Sequence, residues 1–321
     1  MKLGFLTALF GDKSLKEVLD IIRPLGLQSI EFGAGNYPGS SHINVPELTA
    51  SKPKRDELKA MLKGEGIEIS ALSCHGNCIH PDKAFAKKNA EVQTATIKLA
   101  ALLGVKTVID FSGCPGSDEK STKPNWVTCP WPPDYLEILN WQWDKVVIPY
   151  WKKQAKFAKD AGVQIAFEAH PGFVVYNPET ILKLRNACGN NLGANFDPSH
   201  FFWQGIDPVD AVRALGGKAI FHVHAKDSKV YEQNSKVNGV LDTKHYGDEL
   251  NRSWLFRTCG YGHGIDWWND FISTLRMVGY DGTLSIEHED SMMSSMEGLT
   301  KAVDFLKKIL IFQKKSAMTW A

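Results

Sequence analysis

Residues 163–170 are Val-Gln-Ile-Ala-Phe-Glu-Ala-His, an apolar run that ends in a carboxylate and an imidazole. A short apolar run of this length is typical of a buried strand in a parallel sheet. Packing gives such a strand no reason to end in Glu168 and His170, because a buried carboxylate is costly without a metal, a cation or hydrogen-bond donors. We therefore expect both residues at the carboxyl end of a strand, where α/β folds keep their binding sites.

Seven further strands are predicted by the same kind of short apolar run, and helical stretches separate them. They cover residues 2–9, 27–33, 67–74, 105–111, 192–196, 219–225 and 283–286. Eight strands that alternate with eight helices, with no linker between them, predict an α/β fold with a single (β/α)8 TIM barrel over residues 1–321. A doubly wound open sheet is the alternative that the same alternation permits.

Two long segments interrupt this alternation and are predicted to be irregular. Residues 112–144 contain five prolines and four tryptophans, and residues 228–264 contain Trp254 and a glycine-rich end. A long loop inside a compact domain is usually functional. We therefore predict long, aromatic-rich loops at one end of the barrel.

Composition excludes several classes of protein. The 321 residues include 37 basic and 36 acidic side chains, a balance that argues against a nucleic-acid binder. The first residues lack a charged-then-apolar leader, and no apolar run is long enough to cross a bilayer, so no membrane association is expected. Six cysteines in a chain of this length do not indicate a disulfide scaffold. We expect a soluble cytoplasmic protein.

Four predicted strands end in residues that can bind a metal ion, namely Glu168, Asp197, His224 and Glu287. In a barrel these four ends are neighbours around one rim. Three carboxylates and one imidazole suit Mn²⁺, with Mg²⁺, Co²⁺ and Zn²⁺ as alternatives. His222 is the alternative to His224, which lies closer to the barrel mouth. The sequence therefore predicts one divalent metal ion as cofactor.

Four stretches resemble the xylose isomerase-like TIM-barrel superfamily, and within it the sugar phosphate isomerase/epimerase group. They are residues 165–171, 195–200, 222–227 and 279–287, and they follow the order of the family. The resemblance implies that the four strand-end residues bind the metal and that Glu168 and Glu287 form an acid/base pair. It also implies that His200 contacts a substrate oxygen.

The implied function is a metal-dependent sugar isomerase or epimerase that acts on a keto-sugar or related polyol through an enediolate. Proton transfer next to a carbonyl needs a base, an acid and a positive centre for the enediolate charge, which these residue types supply. We expect His75, His170 and Lys226 to bind the substrate, although Lys226 could instead form an ion pair with Asp227. Tryptophans such as Trp126 would stack on the sugar, or alternatively only pack the loops down.

Two departures from the ketose epimerases leave alternatives open. Residues 225–230 lack the arginine that binds the sugar in those enzymes, and residues 171–174 lack their second glutamate. The alternative is a lyase or dehydratase acting on a keto-inositol or 3-keto-glycoside with the same metal site. A remote alternative is an endonuclease IV-like DNA repair enzyme, which the near-neutral charge disfavours. The resemblance also implies a homo-oligomer.

Overall fold

A computed structural model describes residues 1–316 and 318, and its central feature is a closed barrel of eight parallel strands. The strands are β1 Lys2–Leu6, β2 Ser29–Gly33, β3 Glu68–Ser73, β4 Thr107–Asp110, β5 Gln164–Glu168, β6 Leu192–Phe196, β7 Ile220–Ala225, β8 Asp227–Val230, β9 Trp254–Arg257 and β10 Thr283–Ile286. The order around the barrel is β1-β10-β7-β6-β5-β4-β3-β2, while β8 and β9 form a separate antiparallel pair. The predicted TIM barrel is confirmed, and the open-sheet alternative is wrong.

Helices surround the barrel, and several begin at a residue whose side chain accepts hydrogen bonds from their free amides. They are α1 Leu15–Ile22, α2 Val45–Ala50, α3 Lys52–Gly64, α4 Lys83–Leu103, α5 Asp134–Trp141, α6 Ile148–Asp160, α7 Pro178–Cys188, α8 Ser199–Phe202, α9 Pro208–Leu215, α10 Glu232–Asn238, α11 Ile265–Met277 and α12 Ser295–Ile309. The side chains of Ser14 and Asn177 each accept a hydrogen bond from the third amide of the helix that follows. Among the described helices, none is both long and apolar enough to cross a membrane.

The two segments predicted to be irregular contain regular structure, so that part of the prediction is wrong. Residues 112–144 include α5, and a π-helical stretch at Gln142–Val147 joins it to α6. Residues 228–264 include α10 and β9, and β9 pairs with β8 across a connection of more than twenty residues. Such a pairing is set by contacts distant in sequence, which a local pattern does not reveal.

The barrel interior changes from apolar to polar along the strands. Ala71, Ile109 and Ala166 form a small apolar cluster inside it, against which Phe221 packs. Gly193 makes room for that ring, because a Cβ there would lie 2.6 Å from the Phe221 side chain. Two positions after Ala71, Ala166 and Gly193, the strands carry the buried polar side chains of Ser73, Glu168 and Asn195. The fold therefore directs polar groups to the carboxyl ends of the strands.

Candidate active site

The four predicted metal ligands meet at the carboxyl ends of four adjacent strands. Glu168 ends β5, Asp197 follows β6, His224 lies near the end of β7 and Glu287 follows β10. One ligand atom from each residue lies within 4.8 Å of the others. Three of the side chains are almost fully buried, and the fourth, Glu287, is 16% exposed. The barrel closure alone makes these ends neighbours, since the strand order is β10-β7-β6-β5.

Two buried atoms of this group have no hydrogen-bond partner among the described residues. His224 Nδ1 lies 3.2 Å from Glu168 Oε2 and 3.0 Å from Glu287 Oε2, but neither contact has hydrogen-bond geometry. Asp197 Oδ2 is equally unpartnered. Buried polar atoms in proteins are almost always paired, so atoms left unpaired around one point fit a bound cation. Three carboxylates and an imidazole are a suitable ligand set for a divalent ion.

Glu31, in the middle of β2, fixes the orientation of His224 and was not predicted as a site residue. Its fully buried carboxylate accepts hydrogen bonds from His224 Nε2 at 3.0 and 3.1 Å, from Ser285 Oγ at 2.7 Å and from Ser73 Oγ. Burial opposes its charge, but His224 holds the pKa of Glu31 well below its usual range. With the proton on Nε2, the Nδ1 lone pair of His224 faces the other ligands, as in carboxylate–histidine–metal arrangements.

His222, the alternative ligand, lies one layer deeper and both of its ring nitrogens are engaged. Nδ1 lies 2.9 Å from Asn195 Oδ1 and Nε2 lies 3.2 Å from Ser70 Oγ. Burial lowers the pKa of His222 to about 4, so the ring is neutral at neutral pH. Asn195 in turn donates to Glu168 Oε2 at 3.2 Å. His222 therefore supports the Glu168 carboxylate through Asn195. The geometry favours His224 as the ligand.

Glu168 is surrounded by imidazoles that keep it ionised. His200 Nε2 lies 2.9 Å from Oε1, and His75 Nε2 lies 3.0 Å from Oε2. Burial would raise the pKa of Glu168, but the hydrogen bonds with His200 and His75 and the proximity of His224 hold it well below its usual range. The effect is mutual for His75, since Glu168 outweighs burial and raises the pKa of that imidazole. The Glu168 carboxylate is therefore ionised, and it can bind a cation or accept a proton.

Lys226 is a buried cation that faces the carboxylates. Its Nζ lies 3.1 Å from Glu287 Oε2 and 2.5 Å from Glu289 Oε2, and the side chain is only 2% exposed. Burial opposes the charge, but Glu287 and Glu289 raise the pKa of Lys226 well above its usual range. Although burial would raise it, the pKa of Glu287 falls to about 2 because of Lys226. The alternative pairing of Lys226 with Asp227 is wrong.

Asp227 points away from the site because a loop of the chain surrounds its carboxylate. Oδ2 accepts hydrogen bonds from the amides of Gly262 at 3.1 Å and His263 at 2.9 Å, and from Trp268 Nε1 at 3.3 Å. His263 Nδ1 lies 2.8 Å from Oδ1. Asp227 therefore holds the glycine-rich segment at the barrel rim, which is a structural role. It does not pair with Lys226, which lines the cavity.

The site opens into two connected chambers. The inner chamber, about 200 Å³, is lined by Leu6, Ala8, Tyr37, Pro38, His75, Phe111, Glu168, His170, Lys226, Glu287 and Glu289. The outer chamber, about 330 Å³, is lined by His170, Tyr246, Leu255, Phe256, Glu289 and Ser291. His170 and Glu289 border both chambers, so a molecule can extend from one into the other.

The predicted substrate-binding residues divide into those that face the inner chamber and those that do not. His75, His170 and Lys226 line it, whereas His200 lies beneath it against Glu168. Burial lowers the pKa of His170 to about 3, so its ring is a neutral wall of the cavity. Trp126 lines neither chamber and packs edge-on against Tyr176 at 5.5 Å.

The predicted tryptophan cover does not form the walls of either chamber. Trp143 is 2% exposed in the core and Trp131 is 73% exposed, while Trp254 stacks on Trp203 at 4.7 Å. The aromatic side chains that line the chambers are instead those of Tyr37, Phe111, Tyr246 and Phe256. Composition marked the loops as aromatic, but the direction of each ring depends on tertiary packing.

Comparison with known sequences identifies the family of the chain. A family model described as xylose isomerase-like TIM barrel matches residues 19–309. The chain is 41% identical over 313 residues to the uncharacterized protein YfiH of Bacillus subtilis, which covers 97% of this chain and 99% of that protein. It is 26% identical over 288 residues to the rhizopine catabolism protein MocC of Rhizobium meliloti, with 87% and 76% covered.

Solved structures share the fold at low sequence identity. The probable 3-DHS dehydratase AsbF of Bacillus anthracis has a TM-score of 0.66 at 17% identity, with 96% of this chain and 99% of that chain covered. IolI, solved with a zinc atom, has a TM-score of 0.64 at 19% identity, covering 97% and 99%. A D-tagatose 3-epimerase-like protein has a TM-score of 0.62 at 19% identity, covering 96% and 98%. The chain belongs to the xylose isomerase-like TIM-barrel family.

Proposed function

We propose that this member of the xylose isomerase-like TIM-barrel family is a divalent-metal-dependent isomerase or epimerase of a keto-sugar or related polyol. One observation carries the proposal: ligand atoms of Glu168, Asp197, His224 and Glu287 converge within 4.8 Å at the base of a polar chamber. Two of those carboxylates, Glu168 and Glu287, also face the cavity as candidate bases. The fold relationship to sugar epimerases and to a zinc-containing protein supports the same chemistry.

The metal would be held by the four converging residues, with His224 oriented by Glu31. A bound divalent ion, Mn²⁺ being the candidate we favour, polarises a carbonyl and an adjacent hydroxyl and stabilises negative charge on both oxygens. All three carboxylates would contribute oxygen ligands, so their charge offsets that of the cation. The unpartnered state of His224 Nδ1 and Asp197 Oδ2 among the described residues supports this assignment.

The acid/base steps fall to Glu168 and Glu287. A sugar in the inner chamber would lie between them, so that one removes the proton next to the carbonyl and the other, after it takes a proton from solvent or from Lys226, delivers that proton to the opposite face. Both carboxyls have lowered pKa values, Glu287 at about 2, so both start ionised. His75 and Lys226 hydrogen bond to these carboxylates and border the chamber, where they can also bind substrate hydroxyls.

Elimination is the second candidate reaction, and Lys226 is the observation that favours it. Its buried ammonium group lines the inner chamber 3.1 Å from Glu287, where it can donate a proton to a departing hydroxyl or alkoxide. The reaction would again begin when one of the two glutamates removes the proton next to the carbonyl. The substrate would then lose water or an aglycone instead of regaining a proton. A keto-inositol or a 3-keto-glycoside is the corresponding substrate class.

A small-molecule substrate is also supported by the size of the site. The inner chamber of about 200 Å³ is closed by Tyr37, Pro38 and Phe111 on one side. That volume admits a sugar ring but not a DNA backbone with its flanking nucleotides. We therefore do not propose the endonuclease IV-like alternative, and absence of nicking of abasic DNA is the expected result.

The decisive experiment is a screen of keto-sugars, keto-inositols and 3-keto-glycosides in D2O with added Mn²⁺. An isomerase or epimerase gives a product with one exchanged deuterium and otherwise unchanged mass, whereas elimination gives loss of water or aglycone. Glu168→Gln and Glu287→Gln should each lower turnover at least about a thousandfold, because each variant loses both a general base and a metal ligand.

The exposed Glu68 provides a matched control for these variants. Glu68→Gln changes the same functional group at the opposite end of a strand, and its turnover should equal that of the wild type. Full activity of both Glu168→Gln and Glu287→Gln would contradict the acid/base assignment. Activity that persists after chelation and dialysis would contradict the metal requirement.

A further inference from the structure

We infer that the outer chamber is a subsite for an apolar, ring-sized substituent on the sugar, so that the preferred substrate is a keto-sugar that carries an aryl group, such as an aryl 3-keto-glycoside, and not a free sugar. The inference rests on the proposed function, because it assumes that the sugar itself occupies the inner chamber. It adds the class of group that the substrate carries beyond the sugar ring.

The outer chamber has an aromatic wall supplied by β9 and the connection before it. Leu255 and Phe256 are 2% and 8% exposed, and the ring of Tyr246 stacks on Phe256 with centroids 5.7 Å apart and planes at 19°. Tyr246 itself is 48% exposed and faces the opening. A flat apolar group could therefore stack on the exposed ring of Tyr246, which Phe256 supports from the other side, and contact Leu255.

This wall is continuous with the acid/base groups. The Phe256 ring lies 4.2 Å from Lys226 Nζ and contacts His200 edge-on at 5.5 Å. His170 and Glu289 border both chambers. A substituent attached to a sugar beside Lys226 would reach the outer chamber past His170 and Glu289. The same geometry would place the oxygen of a departing aglycone near the Lys226 ammonium group.

The two chambers differ in chemistry, which argues for a substrate with two unlike parts. The inner chamber presents three carboxylates, an ammonium group and two imidazoles, which suit hydroxyl and carbonyl oxygens. In the outer chamber the side chains of Tyr246, Leu255 and Phe256 dominate, and Glu289 and Ser291 are the polar members. A second unit covered in hydroxyls would lose hydration against these rings, whereas an apolar group gains by burial.

The test compares phenyl with methyl glycosides of both anomers of D-glucopyranose and D-galactopyranose. Binding to the full-length, Mn²⁺-treated protein is measured by isothermal titration calorimetry. We expect the phenyl glycoside of at least one pair to bind about tenfold more tightly than its methyl partner, because the ring is buried in the outer chamber. Equal affinities across all four pairs would overturn the subsite.

Two variants locate the preference. Tyr246→Ala should reduce the phenyl advantage to less than about threefold without changing methyl glycoside affinity, because it removes one stacked ring. Tyr135→Ala is the matched control, since Tyr135 is 39% exposed on α5 and lines neither chamber, and it should keep the full advantage. A phenyl advantage that survives Tyr246→Ala would overturn the assignment.

Failure of the subsite and failure of the proposed function give different results. If no sugar exchanges a proton but the phenyl advantage depends on Tyr246, the subsite stands and the proposed reaction falls. If free keto-sugars exchange protons and phenyl glycosides bind no better than methyl glycosides, the reaction stands and the subsite falls.

Discussion

Replacement of Glu31 by glutamine should weaken metal binding although Glu31 is not one of the four converging ligands. The carboxylate accepts two contacts from His224 Nε2, at 3.0 and 3.1 Å, and hydrogen bonds from the hydroxyls of Ser73 and Ser285. A glutamine oxygen can still accept from His224, and the serine hydroxyls can rotate to accept from the amide. The fold should therefore survive, while the negative charge that increases the basicity of His224 is lost.

The expected loss follows from the kind of contact removed. Carboxylates that orient a metal-binding histidine typically contribute 10- to 100-fold to affinity, or about 1.4–2.7 kcal/mol. We expect a contribution of Glu31 in the upper part of this range, because the residue is fully buried and no water can replace its charge. The dissociation constant for Mn²⁺ should accordingly rise by about one to two orders of magnitude.

The assay is calorimetric titration of Mn²⁺ into chelator-treated, dialysed protein, with thermal unfolding of the metal-free variants as a check on folding. Glu68→Gln is the control, because it removes a carboxylate from the exposed start of β3. Glu31→Gln with wild-type affinity would refute the orienting role. A large fall in the metal-free unfolding temperature would instead assign the effect to the fold.

Three further predictions concern stability. Burial raises the pKa of Asp110 to about 7. Between about pH 4 and 7 the folded chain therefore keeps a proton on Asp110 that the unfolded chain releases. As the pH rises through this range, Asp110 should lower the free energy of unfolding by up to ~1.4 kcal/mol per pH unit. Urea titrations at several pH values should show a flatter dependence for Asp110→Asn, and an unchanged slope would contradict the assignment. Asp227→Ala should cost about 3 kcal/mol or more in urea unfolding, because it removes the shared acceptor of the half-buried amides of Gly262 and His263 and of the buried Trp268 Nε1. A cost below about 1 kcal/mol would contradict this anchoring role. Saturating Mn²⁺ at 100 times its dissociation constant should add about 2.7 kcal/mol to the stability of the wild type, and the same concentration should add distinctly less to Asp197→Asn; equal gains would argue against Asp197 as a ligand.

Much of the barrel and the residues at its rim followed from local pattern. Short apolar runs alternating with helices predicted eight parallel strands, and the residue types at the ends of four of them predicted the group of Glu168, Asp197, His224 and Glu287. This works because a parallel barrel aligns all its strand ends at one rim, so position along a strand already specifies the side of the molecule. The strand ends were placed within a few residues.

Contacts between distant residues required the folded chain. The sequence showed Glu31 within a predicted strand, but its bond to His224 joins residues 193 positions apart. It showed Lys226 beside Asp227, yet tertiary packing turned one toward Glu287 and the other toward the glycine-rich segment. The outer chamber depends on the antiparallel pairing of β8 with β9, which brings Phe256 beside Lys226. Periodicity records which face of an element is buried, whereas hydrogen-bond partners and cavity walls depend on how separate elements pack against one another.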